Sequence, residues 1–401
     1  MSDLETSLPL TPSNMAHQGE QFHAWAALQK YVHSDESTKL VPWSFTPRPL
    51  NDDDVEIKIT HCGICGTDIH QLTNVSTIQS QLLLLPEISM LLTLPPSLQG
   101  WNRAVYPLVP GHEFVGHVTH LGSSVTHLKQ GDRVGVSPVC ASCGGCGLCA
   151  GGHAQLCADK VTTYNGTYKG FQTYGGYADR VRVQAKWAVR IPDAIGSDEA
   201  APLLCAGITT YTPFKHHNIG ANTRVGIVGI GGLGHLAVQW ARAKSCRRIL
   251  VISSSDSKRA ESTTLGATGF ITLSDPNLNA LPTSPLAKSL DVLFVTGSSA
   301  TIPWAALLNL VDNLGKVVLL DLPEVPISLP AASLIYRHIS LVGSFTGSTE
   351  DLEEMLTFAA EKGVRPWIKK VPMAEVNKGV DMVIKGGVRY RVVLVKDGAE
   401  N

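Results

Sequence analysis

Val55, Ile57 and Ile59 alternate with Glu56 and Lys58, a period of two that predicts a strand with one buried face. It runs into a loop over residues 61–70. Residues 111–136 are rich in valine and glycine and punctuated by turn signals, as in a small barrel-like β domain. A cysteine-dense loop comes next, then a strand-like stretch over residues 177–191. The texture changes at Ser197. Residues 225–230 read as a buried strand and residues 234–243 have helical spacing. Residues 248–252, 290–296 and 315–320 read as further strands. Strands alternating with helical segments predict a doubly wound parallel sheet with crossover helices. Beyond Gly343, residues 350–361 predict a helix, and residues 368–371 and 391–395 predict strands. This tail is expected to return to the first domain and make it discontinuous.

At 401 residues, 44 % apolar and 17 % charged, the chain can bury two domain cores and is not disordered as a whole. A net charge of −1 argues against nucleic acid or an acidic membrane as partner, since each selects a basic surface. No apolar run reaches the roughly 18 residues of a membrane span. Residues 1–21 are polar. They lack the basic-then-apolar order of a secretory signal and the Arg-rich pattern of a transit peptide, so a flexible tail and a cytoplasmic location are expected. Nine cysteines in such a chain point to metal ligands in a reducing compartment.

Cys143, Cys146, Cys149 and Cys157 have a Cys-x2-Cys-x2-Cys-x7-Cys spacing. Four thiolates at this density can close a tetrahedral Zn²⁺ site with no water position, which makes its role structural. The alternative is a buried-thiol or redox cluster. Cys140 could replace one ligand, but Cys157, after the longer spacer, lets the chain fold back around the metal. A second, dispersed set comprises Cys65, the His112-Glu113 pair and Cys205. These are the residue types of an open catalytic zinc site, which needs three protein ligands and one exchangeable position. Each is weak alone, since a lone cysteine is most often a core thiol. Cys62 is read as packing, and His117, His120 and His127 as ordinary strand or loop histidines.

Gly229, Gly231, Gly232, Leu233 and Gly234 belong to a Gly-x-Gly-x-x-Gly run that succeeds a Val/Ile strand and opens an apolar helix. That context marks a Rossmann dinucleotide loop. Where an NAD site places an acid on the ribose 2′-hydroxyl, this chain has Ser253, Ser254 and Ser255, with Lys258 and Arg259 just beyond. Hydroxyls and cations suit a 2′-phosphate, which an acid would repel, so NADP(H) is the expected cofactor. Asp256 dissents but lies past the usual point.

These motifs resemble the zinc-dependent medium-chain alcohol dehydrogenases, in particular the cinnamyl-alcohol-dehydrogenase-like, NADP-dependent branch of plants and fungi. The matching stretches are residues 62–70, 111–116, the cysteine loop, 201–207, 229–234, 253–256, 343–347 and 389–391. The resemblance implies a β-rich GroES-like catalytic domain over 1–204, a Rossmann NADP domain over 205–343 and a C-terminal return over 344–401. It implies two zincs per subunit, a small alcohol or aldehyde substrate and a homodimer. Cys65, His112 and Cys205 would hold the catalytic zinc, with Glu113 as the acid able to approach it. Asp68 would orient the site, Thr67 would bond the substrate oxygen, and His70 would carry the proton to solvent. Several relatives have His or Arg at Gly66, reaching the cofactor pyrophosphate; glycine removes that contact.

Rival readings are a polyol-type dehydrogenase, a conjugate (1,4) reductase of the same family, and a non-catalytic zinc-binding protein. Cys205 and the serine run speak against the first, and the intact set of Thr67, His70 and Glu113 against the second. Near-neutral charge and the complete second ligand set speak against the third. The loop between Cys65 and His112 is roughly twice the family length. Its excess, residues 75–99, is apolar and without helical or strand period. It reads as a translated intron, opening on a Val codon and closing on Gln99, whose removal joins Asn74 to Gly100 in an Asn-Gly turn. A mobile lid is the alternative.

Overall fold

The computed structural model describes residues 19–74, 104–279, 284–297, 302–322 and 327–399. The excess loop at 75–99 and residues 1–18 of the tail lie outside them. The tail ends earlier than expected: Glu20 already pairs with Arg180 and Arg182, at 3.0 and 2.5 Å.

Two sheets organise the chain. The first is seven-stranded and centres on Asp54–Ile64, which pairs antiparallel with Phe114–Leu121, Arg180–Gln184 and Arg391–Val395. Arg391–Val395 in turn pairs parallel with Ile368–Pro372, so the chain end is part of this sheet. Val55, Ile57, Ile59, Phe114, Val392 and Leu394 are fully or almost fully buried in its core. On the polar face of the alternation at residues 55–59 only Lys58 is exposed. Glu56 is buried too, because Arg182 bonds it at 2.7 and 2.8 Å and Thr119 at 2.8 Å. A buried carboxylate is tolerable only with such partners. The stretch at 177–191 is not one strand: a 3₁₀ turn at Ala185–Trp187 divides Arg180–Gln184 from Ala188–Arg190.

The second sheet has six parallel strands, with Arg224–Val228 and Leu290–Val295 adjacent at its centre. Arg248–Ser253 and Gly269–Thr272 lie to one side, Val311–Leu319 and Ser340–Gly343 to the other. Strand order reverses between the two central strands, and ligands of doubly wound sheets bind in the crevice at that reversal. The helix Gly234–Ala243 packs on this sheet, with Leu236 and Val238 fully buried, while Trp240 packs on Tyr211 and Phe358 of neighbouring helices. The helix Thr349–Lys362 begins on a capping box: Ser348 Oγ accepts from Asp351 N, and Asp351 Oδ2 accepts from Ser348 N, both at 3.1 Å. Among the described residues no helix is long and apolar enough to cross a membrane.

Candidate active site

The strand Asp54–Ile64 delivers Cys65 to the start of a short helix, Gly66–Thr73. Asp68, in the first turn, ties Cys65 to the His112 loop. Its Oδ2 accepts from Cys65 N at 2.8 Å, capping the helix. Its Oδ1 accepts from Gly111 N at 3.1 Å and lies 3.1 Å from His112 Nδ1. One fully buried carboxylate thus fixes two residues of the predicted metal set and leaves His112 Nε2 free to face inward. Thr67 and His70 sit three residues apart on the same helix, both half-buried.

Cys205 comes from a wide π-helical turn, Leu203–Gly207, set between the helices Ser197–Pro202 and Ile208–His216. Such turns often accompany functional sites. Its Sγ lies 3.9 Å from Cys65 Sγ and 3.2 Å from His112 Nε2. Ligand atoms of Cys65, His112, Glu113 and Cys205 all fall within 4.8 Å of one another. A tetrahedral zinc would place two thiolates about 3.8 Å apart and a thiolate and imidazole about 3.6 Å apart. The donor set therefore fits the ion. The two thiols share a hydrogen bond, which drives Cys65 well below and Cys205 well above the usual thiol range. A bound cation replaces that shared proton.

Glu113 is fully buried. Gly63 clears room for it, since a Cβ there would overlap Glu113 Oε1. Burial pushes the Glu113 carboxyl up to about 7, against the charge of Arg391. Arg391 Nη2 donates to both Glu113 oxygens, at 2.5 and 2.7 Å. Arg391 lies in a stretch that matches the family, but nothing in its sequence neighbourhood gives it a role. Its partner lies in a distant segment, and only the pairing of Arg391–Val395 with Asp54–Ile64 brings the two together. Arg391 also reaches the glycine loop: a Cβ on Gly232 would meet its Nη1 at 2.8 Å.

That loop joins Arg224–Val228 to Gly234–Ala243. Only glycine fits at Gly234, where a Cβ would overlap the Gly229 carbonyl. Leu233 occupies the position before the helix without a side-chain cap, and Thr296 Oγ1 holds the loop by donating to the Val228 and Gly229 carbonyls at 2.9 and 3.0 Å. Space opens over Gly231, where a Cβ would meet nothing within 4 Å, the approach a pyrophosphate needs. At the end of Arg248–Ser253, Ser253 is buried, whereas Ser254 and Ser255 are exposed. Lys258 Nζ donates back to the Ile230 carbonyl of the glycine loop at 2.8 Å. Arg259 instead binds Asp256, at 2.8 Å through Nε.

The other cysteine set also converges. Cys143 Sγ lies 3.9 Å from Cys149 and 3.4 Å from Cys157, and Cys146 lies 3.7 Å from Cys157. These spacings again suit tetrahedral zinc. Cys140 stands apart, its thiol directed at the Thr162 carbonyl, and buried Cys62 packs beside Gly111. His120 binds Glu56 and His127 approaches the Ala185 carbonyl, so neither joins a ligand set.

Comparison with known proteins agrees with this arrangement. Residues 51–193 match the alcohol dehydrogenase GroES-like domain, and residues 232–361 the zinc-binding dehydrogenase family. A probable cinnamyl alcohol dehydrogenase 3 of Oryza sativa subsp. japonica is 39 % identical over 362 residues, 90 % of this chain and 91 % of that protein. The structure of a cinnamyl alcohol dehydrogenase from Sorghum bicolor superposes with a TM-score of 0.81 at 37 % identity, covering 95 % of this chain and all of that one. The structure of CAD from Helicobacter pylori complexed with NADP(H) gives 0.77 at 26 % identity, covering 95 % of this chain and 99 % of that one. The chain belongs to the zinc-dependent medium-chain alcohol dehydrogenases, in their cinnamyl-alcohol-dehydrogenase-like branch, and is an alcohol/aldehyde oxidoreductase.

Proposed function

We propose that this protein reduces aldehydes to primary alcohols with NADPH, using a catalytic zinc held by Cys65, His112 and Cys205. One observation carries the reading: the four-residue ligand cluster is tied through Arg391 to the glycine loop, so metal and nucleotide meet in one crevice. When bound, zinc supplies Lewis-acid polarisation of the carbonyl oxygen and NADPH supplies hydride. The chain's own residues do the rest. Asp68 holds His112 in the tautomer that presents Nε2. Thr67 bonds the substrate oxygen, and His70 relays a proton from solvent towards that oxygen as the alcohol forms. Arg391 balances Glu113 and lends positive charge to the glycine loop, towards which Gly66, after Cys65, offers no basic side chain. Cys143, Cys146, Cys149 and Cys157 hold the structural zinc.

The Helicobacter pylori neighbour carries NADP(H), and exposed Ser254 and Ser255 with Lys258 support the same cofactor here. The edge strand Ser340–Gly343, with Leu314, Ile335, Tyr336 and Leu341 exposed around it, supports a homodimer formed along this edge. Nine cysteines without a disulfide support a cytoplasmic setting.

The test is metal content with turnover. Purified protein is expected to hold two zincs per chain and to oxidise NADPH when given an aldehyde. One zinc and no turnover would overturn the reading. Lys258→Ala should raise the KM for NADPH about tenfold or more and that for NADH far less, the cost of a charge-assisted bond. Equal effects on both would remove the NADP(H) assignment.

A further inference from the structure

Glu261 is an acid in the helix Arg259–Leu265, directly after the serines and Lys258. Arg389 Nε donates to both its oxygens, at 2.9 Å each, and the Tyr390 hydroxyl donates to Oε2. Lys258 Nζ lies 5.4 Å from the centre of the Tyr390 ring. Glu261 and Lys258 therefore meet at one tyrosine. Burial lowers the Lys258 pKa, Arg389 adds to that and Glu261 opposes it, so the three charges feel one another. An unneutralised carboxylate at this point would pair with Lys258 and repel a 2′-phosphate, much as the acid of an NAD site does. Arg389 prevents that, and it comes from the C-terminal return, two residues before the strand Arg391–Val395 of the other sheet.

We propose that Arg389 is a specificity-determining positioning residue: it neutralises Glu261 and so leaves the Lys258 charge for the 2′-phosphate of NADP(H). The inference rests on the cofactor reading above. It extends nucleotide selection beyond the serine run to a residue of the catalytic half of the chain. Tyr390 stacks on His235 of the glycine-loop helix at 4.8 Å and so anchors the chain beside Arg389.

Four proteins test it: the parent, Arg389→Ala, Arg389→Lys and Arg389→Ala with Glu261→Gln. For each, NADPH and NADH affinities are read by fluorescence titration and folding by melting temperature. Arg389→Ala is expected to lose about tenfold in NADPH affinity and far less for NADH. Arg389→Lys should keep most of the NADPH affinity. The double variant should recover most of it, because the acid has gone. Equal losses on both cofactors, or a double variant as poor as Arg389→Ala, would overturn the proposal. If Arg389→Ala does not fold, Glu261→Gln alone decides: NADPH binding held or tightened relative to NADH supports it, and weakened binding overturns it. A parent that binds NADH as tightly as NADPH overturns the cofactor reading itself, whereas a parent that prefers NADPH isolates the role of Arg389.

Discussion

Cys205→Ser is expected to fold like the parent and to lose about a thousandfold in kcat/KM for aldehyde reduction, the rate equivalent of several kcal/mol of lost carbonyl polarisation. Cys205 contributes little to packing that serine cannot replace. Its neighbours Leu203, Leu204 and Ala206 are completely buried and keep the turn in place. Asp68 still caps its helix and still holds His112. What disappears is one soft donor of three, and a hydroxyl is a poor substitute for a thiolate on zinc. Zinc content should fall from two per chain towards one, with the melting temperature within a few degrees of the parent. Full activity in this variant would show that Cys205 is a core thiol and that the metal sits elsewhere.

Local patterns are readable without the fold. The cysteine loop and the glycine run each place their residues close along the chain, so spacing alone specifies chemistry. The proposed catalytic set is not readable that way. Cys65, His112 and Cys205 are far apart in sequence, so residue type suggests the set and resemblance gives it roles. Arg391 and Arg389 have no role legible in the sequence because their partners, Glu113 and Glu261, meet them only after the last strand returns to the first sheet. Strand reading succeeds where runs are apolar and buried, as at Arg224–Val228 and Arg391–Val395. It passes over Val41–Phe45, which contains Pro42 and is partly exposed throughout. It also passes over Ser340–Gly343, an edge strand exposed at most positions. The helix Val376–Lys385 is missed for another reason: Gly379 and β-branched valines weaken helix propensity, and tertiary packing of Val376 and Val380 overrides it.

Cys149→Ser should act in the opposite way, damaging the fold before the chemistry. The loop it closes has almost no core of its own. Its buried cluster is Val139, Cys149, Ala154, Cys157 and Trp187, so two of the five members are themselves zinc-ligand candidates. The helical piece Gly147–Ala150 is a single turn, and Gly144 and Gly152 adopt positive φ, so beyond short-range turn hydrogen bonds such as His153 N to the Leu148 carbonyl at 2.8 Å, a shared metal would be the main constraint on the backbone path. Cys143, held by backbone hydrogen bonds from Gly145 and then Cys146, sits at about 7, so thiolate for the ion is available near neutral pH. Removing one of four ligands turns a closed site into a weak one, and for such loops metal binding is folding free energy. The variant is expected to keep one zinc, to be cut by protease between Cys143 and Cys157, and to melt at least about 5 °C lower, as a loss of roughly 2 kcal/mol does in a domain of this size. Soluble protein that survives purification should still reduce aldehyde, since Cys65, His112 and Cys205 are untouched. A variant with one zinc, parental melting temperature and no proteolysis would show that the loop folds without its metal.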